Sequence, residues 1–331
     1  MQDEIDAPRF SMFESNAERH LASFADEVET GLTGKPKSLP CRFLYDAAGS
    51  LLFEEICELP EYYLTRAERQ ILEQRSDSIA RRFDRRPVLV ELGSGSSAKT
   101  RLLIEAFVQT HQRLRYVPID ISPSILETSA RELLRRYDAL EVRAVASEYE
   151  EGLRQLRREN GHAKVIAWLG STIGNLDRDQ ALVFLGQVRR AMAPPDRMLL
   201  GVDLRKSSEV LEPAYDDGSG VTARFSLNLL ERINRELGGT FDVAAFRHSA
   251  VYHEEEGRVA IHVVSRKRQR VAVEELELEV KFDVGEGIHI EDSFKYSMGE
   301  VQALAKGAGL SVEDTWLDDG GRFSLSFLAP V

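Results

Sequence analysis

Five short apolar runs, three of them followed by a stretch with helical spacing, constrain this chain more than any other feature. They are VLVEL (88–92), YVPIDIS (116–122), EVRAVASEYE (141–150), KVIAWLGSTIGN (164–175) and RMLLGVDL (197–204). Strands that alternate with helices make βαβ units, and βαβ units make a parallel sheet. Runs this continuously apolar suit strands covered on both faces. The alternation excludes an all-helical or all-β chain.

The flanks have a different texture. Residues 1–35 are polar with a weak helical rhythm from Phe13 to Val28, and GKPKSLP (34–40) reads as a connector. Leu51 to Ile56 predicts a short helix stopped at Leu59-Pro60. Thr65 and Glu68 form a capping-box pattern that opens a helix with Ala67, Ile71, Leu72 and Ile79 inward. From 207 to 298 the rhythm breaks: a loop (AYDDGSGVTARF), a helix (SLNLLERINREL) and several alternating strands read as an antiparallel insertion. The end returns to a helix and two strands around DDGG, a hairpin. The predicted organisation is 1–70, 71–206, 207–298 and 299–331. The first and third pieces form a second domain, and the others form the sheet domain.

At 331 residues the chain is long enough for two domains at roughly 150 each. Its net charge of −12 disfavours a phosphate-backbone partner. No apolar run is long enough for a membrane span. Cys41 and Cys57 make neither a disulfide framework nor a zinc set. A cytoplasmic protein without nucleic-acid or membrane partners is expected.

The sharpest motif is Glu91-Leu92-Gly93-Ser94-Gly95-Ser96-Ser97-Ala98, between a strand and a helix. Glycine there permits a tight turn and close approach of a ligand. Asp120 ends the next strand, where a carboxylate can accept both hydroxyls of a ribose, and Glu148 follows the third. A dinucleotide and S-adenosylmethionine both fit, and a plain tight turn is the bland alternative. The terminal hairpin added to a parallel sheet resembles the class I S-adenosylmethionine-dependent methyltransferases. This resemblance implies an α/β, doubly wound, mostly parallel sheet ending in an antiparallel hairpin, with a second α+β substrate domain.

A closer resemblance rests on FLYDAAGSLLFEEICELPEYYLTRAE, VELGSGSSAKTR, YVPIDIS, WLGSTIGN, AYDDGSGVTARFSLNLLERINREL and IEDSFKY. Together these strings are similar to the histidine Nα-methyltransferases of ergothioneine biosynthesis, from about residue 38 to the end. The resemblance implies three methyl transfers from S-adenosylmethionine to the α-amino group of L-histidine, giving hercynine, with no metal and by a monomer. It puts Glu91, Gly93, Gly95, Lys99, Asp120, Glu148 and Tyr149 at the cofactor. Phe53, Tyr62, Gly170, Asn175, Tyr215, Ile261, Glu291 and Ser293 fall at the substrate, with Glu291 and Ser293 on the imidazole and Tyr215 on the carboxylate. Tyr45 and Asn175 are its catalytic candidates. Ile261 departs from the pattern, where a methionine is expected, and leaves side-chain selectivity open.

The residue types suit that chemistry. In-line methyl transfer is mainly a positioning task. An uncharged amide such as Asn175 can hold the nitrogen as it passes from primary to quaternary. Tyr45, Phe53 and Tyr62 can stabilise the cationic product by cation–π attraction, about 0.5–2 kcal/mol each. Glu291 at an imidazole N–H gives a charge-assisted bond. The competing readings are the same reaction on another aromatic amino acid such as tryptophan, a silent S-adenosylmethionine-binding module, and a dehydrogenase. Bland readings compete at single residues. Tyr62-Tyr63 reads as core, Asp216-Asp217-Gly218 as a turn with solvated acids, and Asn175 as a strand-end cap. His262 and His289 read as sheet residues rather than a metal pair, RKRQR (266–270) as a solvated turn, and Phe43, Trp168 and Trp316 as core.

Overall fold

A computed structural model describes residues 9–15, 17–156 and 161–331. In chain order the strands are β1 (Phe10–Glu14), β2 (Lys37–Ser38), β3 (Val88–Leu92), β4 (Leu114–Asp120), β5 (Leu140–Ala146), β6 (Lys164–Trp168) and β7 (Arg197–Asp203). They continue with β8 (Phe246–His253), β9 (Arg258–Ser265), β10 (Gln269–Val273), β11 (Leu278–Phe282), β12 (Gly287–Phe294), β13 (Leu310–Leu317) and β14 (Phe323–Pro330). The helices are α1 (Ala17–Thr33), α2 (Ala47–Glu58), α3 (Leu64–Ala80), α4 (Arg101–His111), α5 (Pro123–Arg136), α6 (Tyr149–Leu156), α7 (Arg178–Ala191), α8 (Ser208–Tyr215), α9 (Val221–Leu237) and α10 (Met298–Gly307).

Two compact units share the chain. Among the described residues the first takes 9–15, 64–205 and 296–331, and the second takes 17–63 and 206–295. The first holds an eight-stranded sheet in the order β1-β5-β4-β3-β6-β7-β14-β13. Six strands are parallel, and β14 runs antiparallel to both β7 and β13, as the terminal hairpin predicted. Strands β3 and β6 are buried at every residue, so their apolar runs face helices on both sides. They are neighbours although β4 and β5 intervene in sequence. Their carboxyl ends therefore mark the switch point where open α/β sheets take ligands.

In the second unit, β2-β12-β9-β8 form a four-stranded sheet and β10-β11 a separate ribbon. Helix α9 buries Phe225, Leu229, Leu230, Ile233 and Leu237 at helical spacing and packs on α2 and β8. Gly238 ends it in the left-handed conformation, φ 63°. Helix α2 begins where Asp46 accepts the Gly49 N–H at 2.7 Å. The Asn228 amide donates to the same carboxylate at 2.8 Å.

Several expectations are corrected. Residues 10–14 join the sheet of the first unit as β1, parallel to β5, with Phe10 and Met12 packed on Leu126, Ala144 and Ala146. They do not belong to the second unit, and the next boundary falls at 63/64 rather than 70/71. Helix α2 starts upstream of Leu51 because Asp46 caps it. Residues 214–225, read as a loop, hold the end of helix α8, which has Pro213 inside, and the first turn of α9, which starts at Val221. Asp217 is buried rather than solvated: it accepts the backbone N–H groups of Val221 (3.0 Å) and Thr222 (2.7 Å) and so caps α9. Burial opposes its ionisation, but the Ser219 hydroxyl and these N–H donors outweigh burial and hold the carboxyl well below the usual range. Trp316 is only half-buried, with the Arg82 guanidinium 5.5 Å from its ring. The expected solvated turn holds for 266–268, which are exposed, whereas 269–270 begin β10; Lys267, Arg268 and Arg270 pair with Asp242, Asp283 and Glu279.

Candidate active site

The glycine loop sits at the carboxyl end of β3. Gly93 and Gly95 have φ of 70° and 49°, which side chains rarely tolerate. A Cβ on Gly93 would lie 2.7 Å from the Tyr149 hydroxyl, whereas one on Gly95 would meet nothing within 4 Å. Gly93 thus lets the Tyr149 ring approach, and Gly95 borders open space. Asp120 ends β4. Its carboxylate accepts the Gly95 N–H at 2.9 Å and the Ser122 N–H at 3.0 Å, and burial pushes its carboxyl upward against those donors. Glu148 is exposed, next to Tyr149 at the first turn of α6. Tyr149 packs edge-on to Trp168 at 6.0 Å and against Phe184 at 5.3 Å.

Glu91 has another environment. It is buried, and its carboxylate accepts the hydroxyls of Thr100 and Tyr116. Burial pushes it up to about 7 in spite of those two donors. It braces the start of the loop from inside.

One residue that the sequence pattern marked only as a helix cap organises this end. Glu68 lies on α3 with no exposed surface. It is not a capping-box residue: its carboxylate takes the Lys99 ammonium at 2.5 Å and the Gly170 N–H at 2.8 and 2.9 Å. Gly170 (φ 73°) and Ser171 (φ 58°) form a left-handed corner after β6, and the Ser171 hydroxyl accepts the Asp203 N–H at 2.9 Å. The corner leads into a 3₁₀ turn, Thr172–Asn175, which brings Asn175 to a half-buried position.

The second unit gathers the other candidates. Tyr45 stands edge-on to Phe53 and Phe225, each at 5.4 Å. Phe53 meets Tyr62 at 6.2 Å, and Tyr62 meets Tyr215 at 6.2 Å. This is a continuous aromatic wall, to which Phe225 adds a member the sequence reading passed over. Burial, with Tyr215, Cys57, Tyr45 and Glu291 nearby, raises the Tyr62 phenol well above its ordinary value and keeps it protonated. Ile261 on β9 pairs directly with Glu291 on β12, so both side chains share one face. A register shift between His289 and Glu291 sets that alignment. Burial pushes Glu291 up to about 7, with Lys295 opposing the rise and Asp292 adding to it. His262 and His289 face each other across the same strands, ring centroids 5.1 Å apart.

Tyr215 ends α8 and is held from behind. His248 spans its carbonyl (2.7 Å) and the Ser226 hydroxyl (2.9 Å). Burial lowers the His248 pKa, consistent with a neutral ring that donates to the carbonyl and accepts from the serine. The Tyr215 hydroxyl lies 2.9 Å from Ser293 Oγ, and both oxygens touch the ammonium of Lys295. Lys295 is fully buried, and nothing in the string FKYSM signals it, because a lysine after a strand usually marks a solvated end.

A family model described as histidine-specific, S-adenosylmethionine-dependent methyltransferase matches residues 24–330. The chain belongs to that family. Its relatives include the histidine N-alpha-methyltransferase of Mycobacterium tuberculosis, 44% identical over 94% of this chain and 95% of that one. Ergothioneine biosynthesis protein 1 of Neurospora crassa is 33% identical over 89% of this chain and 33% of its own length. An L-tryptophan methyltransferase of Psilocybe serbica is 28% identical over 87% of each chain. This histidine-specific methyltransferase therefore carries its family's chemistry on an α/β sheet with a terminal antiparallel hairpin, as the resemblance implied. The residues at the glycine loop fit the family's cofactor: two positive-φ glycines, a carboxylate at the end of β4, and the buried Ser94 hydroxyl without a partner among the described residues.

Proposed function

We propose that this enzyme trimethylates the α-amino group of L-histidine to hercynine, a step of ergothioneine biosynthesis. It would act as a monomer in the cytoplasm on the free amino acid. The observation that carries the reading is the pairing, within the second unit, of an aromatic wall with a half-buried carboxylate, Glu291. One suits a quaternary ammonium product, and the other suits a ring N–H.

S-adenosylmethionine supplies an electrophilic methyl on a sulfonium. Asp120 would hold its ribose, Gly93 and Gly95 would let it approach the backbone, Lys99 would take its carboxylate, and Glu148 and Tyr149 would border its adenine. Asn175 offers the substrate nitrogen an uncharged amide, so the protonated, unreactive amine is not favoured. Tyr45, Phe53 and Tyr62 would stabilise the trimethylated cation. Glu291, ionised, accepts the imidazole N–H, and Ile261 forms an apolar wall beside it.

A second reading keeps the chemistry and changes the amino acid. Ile261, and a relative that methylates tryptophan, motivate it. One experiment separates the two: the purified enzyme, S-adenosylmethionine and all twenty amino acids, read by mass spectrometry. Histidine gaining up to three methyl groups supports the proposal. Methylation of another amino acid alone, or no methylated product, overturns it.

A further inference from the structure

The buried ammonium of Lys295 has no counterpart in the roles assigned so far. It follows β12 directly and has no exposed surface. Its Nζ lies 2.5 Å from Tyr215 Oη and 2.9 Å from Ser293 Oγ, and 4.5 Å from the centre of the Tyr215 ring. Burying a charge is costly unless partners compensate, so this position does something a leucine could not.

What it does follows from donors and acceptors. An ammonium has three protons to give and accepts nothing. Tyr215 Oη and Ser293 Oγ must therefore both accept from Lys295. The two hydroxyls also lie 2.9 Å from each other, so one donates to the other. The phenol is the stronger acid, and the serine oxygen has two lone pairs to fill. Tyr215 accordingly donates to Ser293, and both Ser293 lone pairs are taken. The Ser293 hydroxyl proton is then directed out of the triangle, and Ser293 can act toward a ligand only as a donor. Glu291 lies two residues back on the same face of β12; burial raises its pKa to about 7 and Lys295 opposes the rise, and its carboxylate form, present above that pH, acts only as an acceptor.

We propose that Lys295 is the specificity-determining residue that makes this site select a neutral imidazole. It locks Ser293 as donor opposite Glu291 as acceptor. A ring with one N–H and one bare nitrogen satisfies both. Indole and pyrrole offer an N–H alone, and imidazolium offers two, so each leaves the Ser293 hydroxyl unpaired. This inference rests on the histidine reading above and adds the residue that enforces it.

The test compares wild type with Lys295→Met, Ser293→Ala and the double variant. Readouts are kcat and KM for histidine and tryptophan, and S-adenosylmethionine affinity by calorimetry. Lys295→Met should raise the histidine KM roughly tenfold or more, the cost of an unsatisfied buried group, with cofactor affinity unchanged. The histidine-to-tryptophan ratio of kcat/KM should fall by a similar factor. The double variant should be no worse than Ser293→Ala, because Lys295 acts through Ser293. An unchanged selectivity ratio, or losses that add, overturns the proposal. If Lys295→Met fails to fold, the wild-type enzyme answers with analogues. A 1,2,4-triazolyl alanine should be turned over, and a pyrrol-2-yl alanine should lose roughly tenfold or more in kcat/KM. Equal turnover of the pyrrole analogue overturns it. Wild type that methylates no histidine at all fails the underlying reading instead, and this control is run first.

Discussion

Glu291 is held between two opposing effects. Burial retains its proton and places its pKa at about 7, while Lys295 favours its release. The carboxylate accepts an imidazole N–H through a charge-assisted bond, stronger than one to the neutral acid, so histidine binding should strengthen as pH rises through 7. The substrate's own ring, with an ordinary pKa of about 6.5, loses its proton over a neighbouring range. Glu291→Gln separates the two: the fall of histidine KM between pH 6 and 8 should flatten, leaving the substrate's own titration. A variant profile that overlays wild type would remove Glu291 from the ring. Glu291→Ala should raise histidine KM far more than it changes cofactor affinity, and equal losses in both would refute the assignment. Glu291, Ser293 and Tyr215 entered through a family string rather than through any rule of spacing, since a glutamate on an alternating strand normally faces water. Lys295 and Phe225 did not enter at all. A buried ammonium is defined by what surrounds it in three dimensions, and the sequence holds no trace of that.

Elements were more legible than residues, because periodicity reports burial directly. The five parallel strands and the terminal hairpin lie where apolar runs and turn residues put them, but the reading of 141–150 as strand runs into α6, which it misses, and that of 164–175 runs past β6 into a 3₁₀ turn. What escaped was short or depended on partners. β1 is a five-residue edge strand with an irregular burial pattern, and α8 contains a proline that argues against a helix. Glu68 shows how an element-level motif can mislead. Its spacing from Thr65 suits a cap, yet its carboxylate joins α3 to the loop after β6 and to Lys99 at the start of α4. Gly201 on β7 leaves room for it, because a Cβ there would collide with Glu68 Oε1. Gly201→Ala should therefore cost about 1–3 kcal/mol by overpacking and weaken S-adenosylmethionine binding. Glu68→Ala should also destabilise, and the double variant should lose less than the sum, since the clash and the carboxylate disappear together. Chemical denaturation of the four proteins decides it, and strict additivity would show that the glycine answers to something else.

At the scale of the whole molecule, the groups proposed to hold the cofactor come from separate βα units of one sheet. The loop after β3 supplies Gly93 and Gly95, the end of β4 supplies Asp120, and the start of α6 supplies Tyr149. Such a site exists only when β3, β4 and β5 are paired in register, so a ligand there binds the folded chain and not the unfolded one. At a free concentration 100 times its Kd, S-adenosylmethionine should then stabilise the enzyme by about 2.7 kcal/mol. For a chain of this size that is a rise in melting temperature of about 4 °C. Asp120→Ala removes the carboxylate that accepts the Gly95 N–H at 2.9 Å and that would accept the ribose hydroxyls. At the same cofactor concentration its melting temperature should rise far less. The comparison that matters is the ligand-induced shift rather than the melting temperature itself, because losing the Gly95 bond destabilises the variant with or without cofactor. If Asp120→Ala shows the full wild-type shift, the carboxylate at the end of β4 only shapes the glycine loop, and the ribose contact must be sought elsewhere on the sheet.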